Sequence, residues 1–250
     1  MRFLEYVLAG LGVGLVFGMF GAGGSAFATP VLALMGVPPI LAVASPLPAM
    51  LPASFAGARR YLAAGHLDTR IARLAAIGGV PGTLLGALAS RLVGGDRLLV
   101  LSGLMLLVVG VRMLLPDPEG ALERATLRRD RAGLVMAATF AVGFLTGLLA
   151  NGGGFLLVPV FILLLGLTSI EAAGTSMVVV GILTIPSLLT HWALGNIDWV
   201  VASGFALGLV PASMLGARIA QHLPPKRART AFATMLVVFS VWFLVRQATA

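Results

Sequence analysis

The sequence predicts an all-α membrane protein, a polytopic helical bundle of two inverted repeats. Each repeat opens with a glycine-broken helix or re-entrant hairpin and continues through three spans. Three observations carry that expectation. The 250 residues are 59% hydrophobic and 10% charged, against roughly 25% charged in soluble domains, so one water-facing core cannot hide the apolar surface. The apolar runs are long enough for helices rather than alternating barrel strands. The second half also repeats the first in register: Gly14, Gly18 and Pro30 match Gly143, Gly147 and Pro159 at a spacing of 129. After a one-residue slip, Gly65-His66-Leu67-Asp68 matches Gly195-Asn196-Ile197-Asp198 at 130, and Pro81 and Gly86-Ala87 match Pro211 and Gly216-Ala217.

The first repeat occupies 1–115, with a broken hairpin at 3–36 and spans at 40–58, 70–90 and 97–115. A polar cytoplasmic linker follows at 116–132. The second repeat occupies 133–250, with its hairpin at 133–166 and spans at 172–192, 198–219 and 229–247. The segments 24–36 and 155–166 are shorter than the about 20 residues a bilayer crossing needs, so each either re-enters or crosses a thin region. Residues 1–28 carry Arg2, an apolar stretch and Ala26-Phe27-Ala28, which mimics a signal peptide. The same pattern recurs at 133–159, so this segment is expected to be structural and retained.

Charge orients the halves. The connection at 59–73 holds Arg59, Arg60, Arg70 and Arg73, whereas its partner at 189–203 holds no lysine or arginine. One connection later the bias reverses: 91–97 has Arg91 and Arg97, and 218–229 has Arg218, Lys226, Arg227 and Arg229. If basic connections face the cytoplasm, equivalent loops lie on opposite sides, which requires an odd number of crossings per half. The rival is a parallel four-plus-four arrangement, which would put 218–229 outside. Glycine stripes at 78, 82 and 86, and at 204, 208 and 216 with Ala212, point to close helix contact, within a half or between halves. The net charge of +8 comes from these short connections and forms no continuous stripe, so nucleic acid is not an expected partner.

The candidate site lies at the two breaks. Asn151-Gly152-Gly153-Gly154 interrupts one apolar run, and Ala22-Gly23-Gly24-Ser25 interrupts the other. Runs of small residues ahead of a proline do not propagate a membrane helix. Paired breaks at matching positions mark the binding region of secondary transporters. A break before a helix leaves backbone N–H groups without intrahelical partners, and the helix dipole adds partial positive charge, so an anion is favoured there. Gly23, Gly24, Ser25, Gly152, Gly153 and Gly154 are candidates through their backbone, and Asn151 through its side chain. Ser45, Thr175 and Ser176 open the following spans and offer hydroxyls, although such residues commonly cap helices or link them. His191, in an apolar stretch near a span end, can carry a proton, contact an anion or simply sit at the interface. Tyr61 and Arg60 hold the corresponding place in the first half, as interfacial and cytoplasmic anchors. Asp68 and Asp198 read as helix N-caps, and Trp192 and Trp199 as markers of the outer interface. The two breaks are expected to converge near the bilayer midplane.

Gly-Gly-Gly-Phe-Leu-Leu-Val-Pro at 152–159, Gly174-Thr175-Ser176, Gly195-Asn196-Ile197-Asp198-Trp199 and Gly216-Ala217-Arg218 ahead of Leu223-Pro224-Pro225 resemble the sulfite exporter TauE/SafE family, also called 4-toluene sulfonate uptake permeases. The likeness covers nearly the whole chain and is clearest in the second half; in the first, Ser25 stands for Gly154, Ala22 for Asn151, and Ala44-Ser45-Pro46 for Gly174-Thr175-Ser176. The resemblance implies transport of a small sulfur-containing anion such as sulfite, sulfoacetate or another organosulfonate, in either direction, by a multi-pass protein of the cell (inner) membrane.

No span centre carries a clear Asp, Glu, Lys or Arg, so no carboxylate proton relay is visible. No His/Glu metal spacing, nucleophile elbow or phosphate-binding loop appears, and there are no cysteines. Neither enzyme activity nor a cofactor nor a metal is expected. The partners are a small anionic substrate and the lipid bilayer, with homo-oligomerisation left open. The reading is a secondary transporter working by alternating access. Its alternatives are a passive anion channel and a membrane-embedded subunit without transport activity.

Overall fold

The computed structural model describes residues 2–21, 25–93, 95–115, 131–149 and 154–248. These fold entirely as helices: α1 (Arg2–Met19), α2 (Ser25–Leu34), α3 (Pro39–Ala44), α4 (Leu47–Ala63), α5 (Thr69–Val93), α6 (Gly95–Leu114), α7 (Ala132–Leu148), α8 (Gly154–Leu163), α9 (Ser169–Ala193), α10 (Trp199–Ala220) and α11 (Pro225–Ala248). Among the described residues, six segments are long and apolar enough to cross a membrane, with Pro39–Ala63 counting as one because α3 and α4 are parted only by Ser45-Pro46. This span continues past its expected end at 58, carrying Arg59 and Arg60 on its exposed last turn, where long basic side chains reach the interface.

Helix ends follow local chemistry. Asp198 accepts the N–H groups of Val200 and Val201 at 2.8 and 3.2 Å, and Asp68 accepts that of Ile71 at 2.9 Å, so both cap the helices they precede. Thr168 and Glu171 cap α9 reciprocally. α4 and α9 stop at the matching glycines Gly65 (φ 76°) and Gly195 (φ 72°). There His66 N–H returns to the Tyr61 carbonyl, and Asn196 N–H to that of His191, both at 3.0 Å.

The most extensive packing is between the halves, which resolves what the glycine stripes do. Gly10, Gly14 and Gly18 of α1 lie against the backbone of Phe205, Leu209 and Ser213 on α10, and Gly208 and Gly216 lie against Val7 and Leu15 in return. The same arrangement recurs where Gly78, Gly82 and Gly86 of α5 meet Met136, Phe140 and Phe144 of α7, with Gly143 and Gly147 meeting Gly79 and Thr83. Each added Cβ would strike a backbone carbonyl of the facing helix. Residue numbers rise together along both pairs, so each pair is parallel.

The repeat-equivalent helices meet one another head to tail. On α4 and α9, Ser54 faces Gly181, Gly57 faces Met177 and Tyr61 faces Gly174. On α6 and α11, Gly103 faces Leu244, Gly110 faces Val237, and Arg229 donates from Nε to the Met113 carbonyl at 3.2 Å. Arg59, Arg60, Arg70, Arg73, Arg131, Arg218, Lys226 and Arg227 thereby gather at one end of the bundle. The exposed Trp192 and Trp199 stack edge to face at the other, with centroids 6.2 Å apart.

The short helices α2 and α8 each lead back toward the end of the bundle from which their hairpin sets out. α7 runs parallel to α5 from the basic end, and its last turn reaches toward His191 near the opposite end of α9. α8 then ends at Leu163 and turns into the start of α9, back at the basic end. α1 and α2 make the same excursion from the opposite end, α1 finishing beside Tyr61 and α2 leading back to α3. The linker, expected at 116–132, lies outside the described residues except for its last two positions.

The glycine contacts set a stability expectation. Gly82→Ala and Gly208→Ala should each cost about 1–3 kcal/mol, because the clash is with backbone. Gly12→Ala, with open space around it, should be neutral or stabilise by about 0.5–1 kcal/mol. Thermal unfolding of the detergent-solubilised protein, followed by size-exclusion chromatography, checks both.

Candidate functional site

α9 is the helix on which the described flanks of both breaks dock. Gly21, with φ at 66°, turns the chain out of α1, and a Cβ on it would strike the Ala173 backbone of α9. Only glycine permits both the turn and the approach. Ser176 donates to the Gly21 carbonyl at 2.6 Å and also lies 3.0 Å from that of Ala173. Tyr61, fully buried, donates to the Gly18 carbonyl at 2.9 Å. The described flank of the first break, Gly18 to Gly21, is thus held between the end of α4 and the start of α9.

At the other end of α9 stands His191, also fully buried, at the position that repeats Tyr61. Its ring approaches the Gly147 backbone, the counterpart of Gly18, but Nε2 forms no well-aligned hydrogen bond. Nδ1 lies 3.2 Å from Asn196 Nδ2. Ser176 and His191 are 15 residues apart, about 22 Å of helix rise. The N-terminal flanks of the two breaks therefore lie toward opposite ends of α9, whereas α2 and α8, which follow the breaks, touch each other. The reason is the head-to-tail pairing of α4 with α9, which sends equivalent positions to opposite ends.

Ser45 and Thr175 form a matched pair of ties between halves. Asp198 N–H donates to Ser45 Oγ at 2.9 Å, and Asp68 N–H donates to Thr175 Oγ1 at 3.0 Å. Each hydroxyl pulls the other half's connecting turn into the bundle. Ser45 and Asp198 stand near His191; Thr175 and Asp68 stand near Ser176 and Tyr61. Ser25 opens α2 and Gly154 opens α8. Gly23, Gly24, Asn151, Gly152 and Gly153 lie outside the described residues.

Beside the first break a cleft with about 30 Å³ of free volume lies at the basic end, bordered by Met19, Phe20, Tyr61, Ala173 and Arg229. That is room for a water-sized group. Arg229, read from sequence only as part of a basic connection, is the cationic side chain bordering it. Among the described residues, no cluster of three or more His, Asp, Glu or Cys is poised to hold a metal.

Sequence reasoning missed Thr184 and Ser187, whose buried hydroxyls have no partner. Their spacing with His191, at intervals of three and four, was legible as one helix face, but only burial separates such a face from ordinary interhelical links. For the bonded groups the expectation is simple: Tyr61→Phe should cost about 1–3 kcal/mol by stranding a buried carbonyl, while Arg60→Gln should change stability by less than about 0.5 kcal/mol. Melting of the purified variants in detergent measures both.

Residues 6–243 match the family described as Sulfite exporter TauE/SafE. A "Probable membrane transporter protein" of Xylella fastidiosa (strain 9a5c) is 29% identical over 245 residues, covering 94% of this chain and 92% of the relative. The "Probable membrane transporter protein YunE" of Bacillus subtilis (strain 168) is 25% identical over 262 residues, covering 95% and 94%. YjnA of the same organism, with the same description, is 23% identical over 250 residues, covering 94% and 97%. No solved structure matches the chain. A match spanning nearly the whole chain, on a helical bundle with six candidate spans, makes this protein a member of the sulfite exporter TauE/SafE family of membrane transporters.

Proposed function

We propose that this protein is a secondary transporter that carries a small sulfur oxyanion, sulfite or an organosulfonate, by alternating access between two inverted repeats. The observation that carries the proposal is the placement of the break flanks: one hairpin enters from each end of the bundle, and both dock on α9. The head-to-tail packing of α4 with α9 and of α6 with α11 supports inversion of the repeats. With the basic end facing the cytoplasm, Arg229 places a guanidinium beside a water-sized cleft next to the described flank of the first break, where it attracts anions toward that end. Gly23, Gly24 and Ser25 on one side, and Asn151, Gly152, Gly153 and Gly154 on the other, offer N–H donors ahead of α2 and α8. A sulfonate or sulfite has three acceptor oxygens and suits such donors without any full charge in the membrane. Lipid cannot satisfy N–H groups of this kind, which favours a polar partner such as an oxyanion. The substrate class comes from the family, whose description names sulfite.

Counterflow in proteoliposomes tests this reading, with labelled sulfite or organosulfonate inside and unlabelled sulfite, sulfonates or carboxylates as trans partners. Saturable exchange that prefers sulfur oxyanions, and falls at least about tenfold in Asn151→Leu (the loss of about 1.4 kcal/mol), is expected. Flux without counterflow would identify a passive pore instead. Absence of flux for every sulfur anion would sink the substrate assignment.

A further inference from the structure

We propose that Thr184, Ser187 and His191 form an oxyanion-binding seam along α9, between the two break flanks. The inference rests on the transporter reading and adds an intermediate site to it.

The seam is defined by helix geometry. At about 100° per residue, Ser176, Thr184, Ser187 and His191 fall within an arc of about 80° on α9. One end of that arc is bonded to Gly21 at the first break, and the other approaches Gly147 ahead of the second. The face that touches both flanks is therefore the face that carries these hydroxyls and the imidazole.

Buried hydroxyls elsewhere in the bundle show what an ordinary structural role looks like here. Ser54, Thr83, Ser90, Thr139, Thr146, Ser213 and Ser240 each donate to a carbonyl three or four residues back on their own helix. That bond is available to any serine or threonine in a helix. Thr184 and Ser187 do not take it, although both are essentially inaccessible, and the His191 ring beside them approaches Gly147 without a well-aligned bond at Nε2. Among the described residues Ser102 on α6 is the fourth such group, and no described contact joins it to the seam. Leaving a buried polar group unpaired is costly. Here three occur within two helical turns, around Pro186, which withholds its own N–H from the α9 ladder.

The first half supplies the contrast. The positions repeating Thr184, Ser187 and His191 are Ser54, Gly57 and Tyr61. Ser54 is satisfied by the Leu51 carbonyl, Gly57 has no side chain, and Tyr61 is satisfied by Gly18. One copy of the seam is closed by protein and the other is left open.

Donor chemistry selects the ligand. Two hydroxyls can each donate, and an Asn196 amide that donates to His191 Nδ1 leaves the proton on Nε2, which then donates as well. Glu171 is engaged in its capping box at the basic end, and the Asp198 carboxylate is engaged in capping α10. Three neutral donors with no free carboxylate suit an anion with several acceptor oxygens, and offer a cation nothing. A pyramidal sulfite or a sulfonate meets that description.

The chain has no cysteine, so single cysteines report accessibility without background. Thr184→Cys and Ser187→Cys in proteoliposomes would be treated with the anionic 2-sulfonatoethyl methanethiosulfonate and with its cationic trimethylammonium analogue. Ser240→Cys, a buried position on α11 whose hydroxyl is self-satisfied, serves as the dry control. Both seam cysteines should react, with the anionic reagent faster by about tenfold, while the control stays unlabelled. Failure of both seam cysteines to react, or equal or faster reaction with the cation, would overturn the seam. Labelling does not depend on transport activity, so a dry seam in a protein that shows counterflow refutes this inference alone. Absence of counterflow with an anion-selective seam refutes only the substrate assignment. In a protein that does show counterflow, Thr184→Val with Ser187→Ala should raise KM for sulfite at least about tenfold with the melting temperature unchanged. An unchanged KM would also overturn the seam.

Discussion

Backbone-to-backbone contact across small residues is the constraint from which the rest of this bundle follows. Lipid tails are as apolar as leucine, so burial alone gives membrane helices little reason to associate. Close approach of α1 to α10, and of α5 to α7, gains dispersion contacts that a larger residue at any of the facing glycines would forbid. Because each pair joins the two halves, neither half is complete without the other. The positions of α1 and α7, the first arms of the two hairpins, are set by these two contacts.

Within that frame the copies have diverged in a specific way. Scaffold positions stayed paired: the turn glycines Gly65 and Gly195, the caps Asp68 and Asp198, and the ties made by Ser45 and Thr175. Chemistry-bearing positions did not. Tyr61 became or remained a phenol that closes its own contact, whereas the His191 ring approaches Gly147 without a well-aligned bond at Nε2. The symmetry of the fold thus supports an asymmetric interior, one end bolted and the other left with donors to spare.

Much of this was legible from the chain. Composition revealed the membrane, because 10% charged residues cannot clothe a soluble surface. The register of glycines, prolines and Gly-x-x-Asp turns revealed the duplication, because these residues are held by backbone geometry and not by side-chain taste. Helix caps at Asp68 and Asp198 were readable for the same reason. Three-dimensional partnership was not. A stripe such as Gly78, Gly82, Gly86 announces a close neighbour but not which one, and α7 lies far away in sequence. That Gly18 and Gly147 lie toward opposite ends of α9 was also hidden, since it depends on the head-to-tail pairing of α4 with α9. Thr184 and Ser187 were invisible because a membrane hydroxyl usually satisfies itself, and only the fold shows that these, like Ser102, do not.

The exchange of first helices between halves also orders the protein's birth. The glycine face of α1 meets its partner only when residues 205–217 of α10 have been made. At about 5–20 residues per second, the nearly 200 intervening residues take about 10–40 s to synthesise. For that interval α1 resides in the bilayer with its most contact-hungry surface against lipid. α5 and α7, separated by a much shorter stretch, can join while synthesis continues. Assembly should therefore begin in the middle of the chain and finish when the two ends close on each other, so the last structure to form is the one that locks the N-terminal hairpin into place.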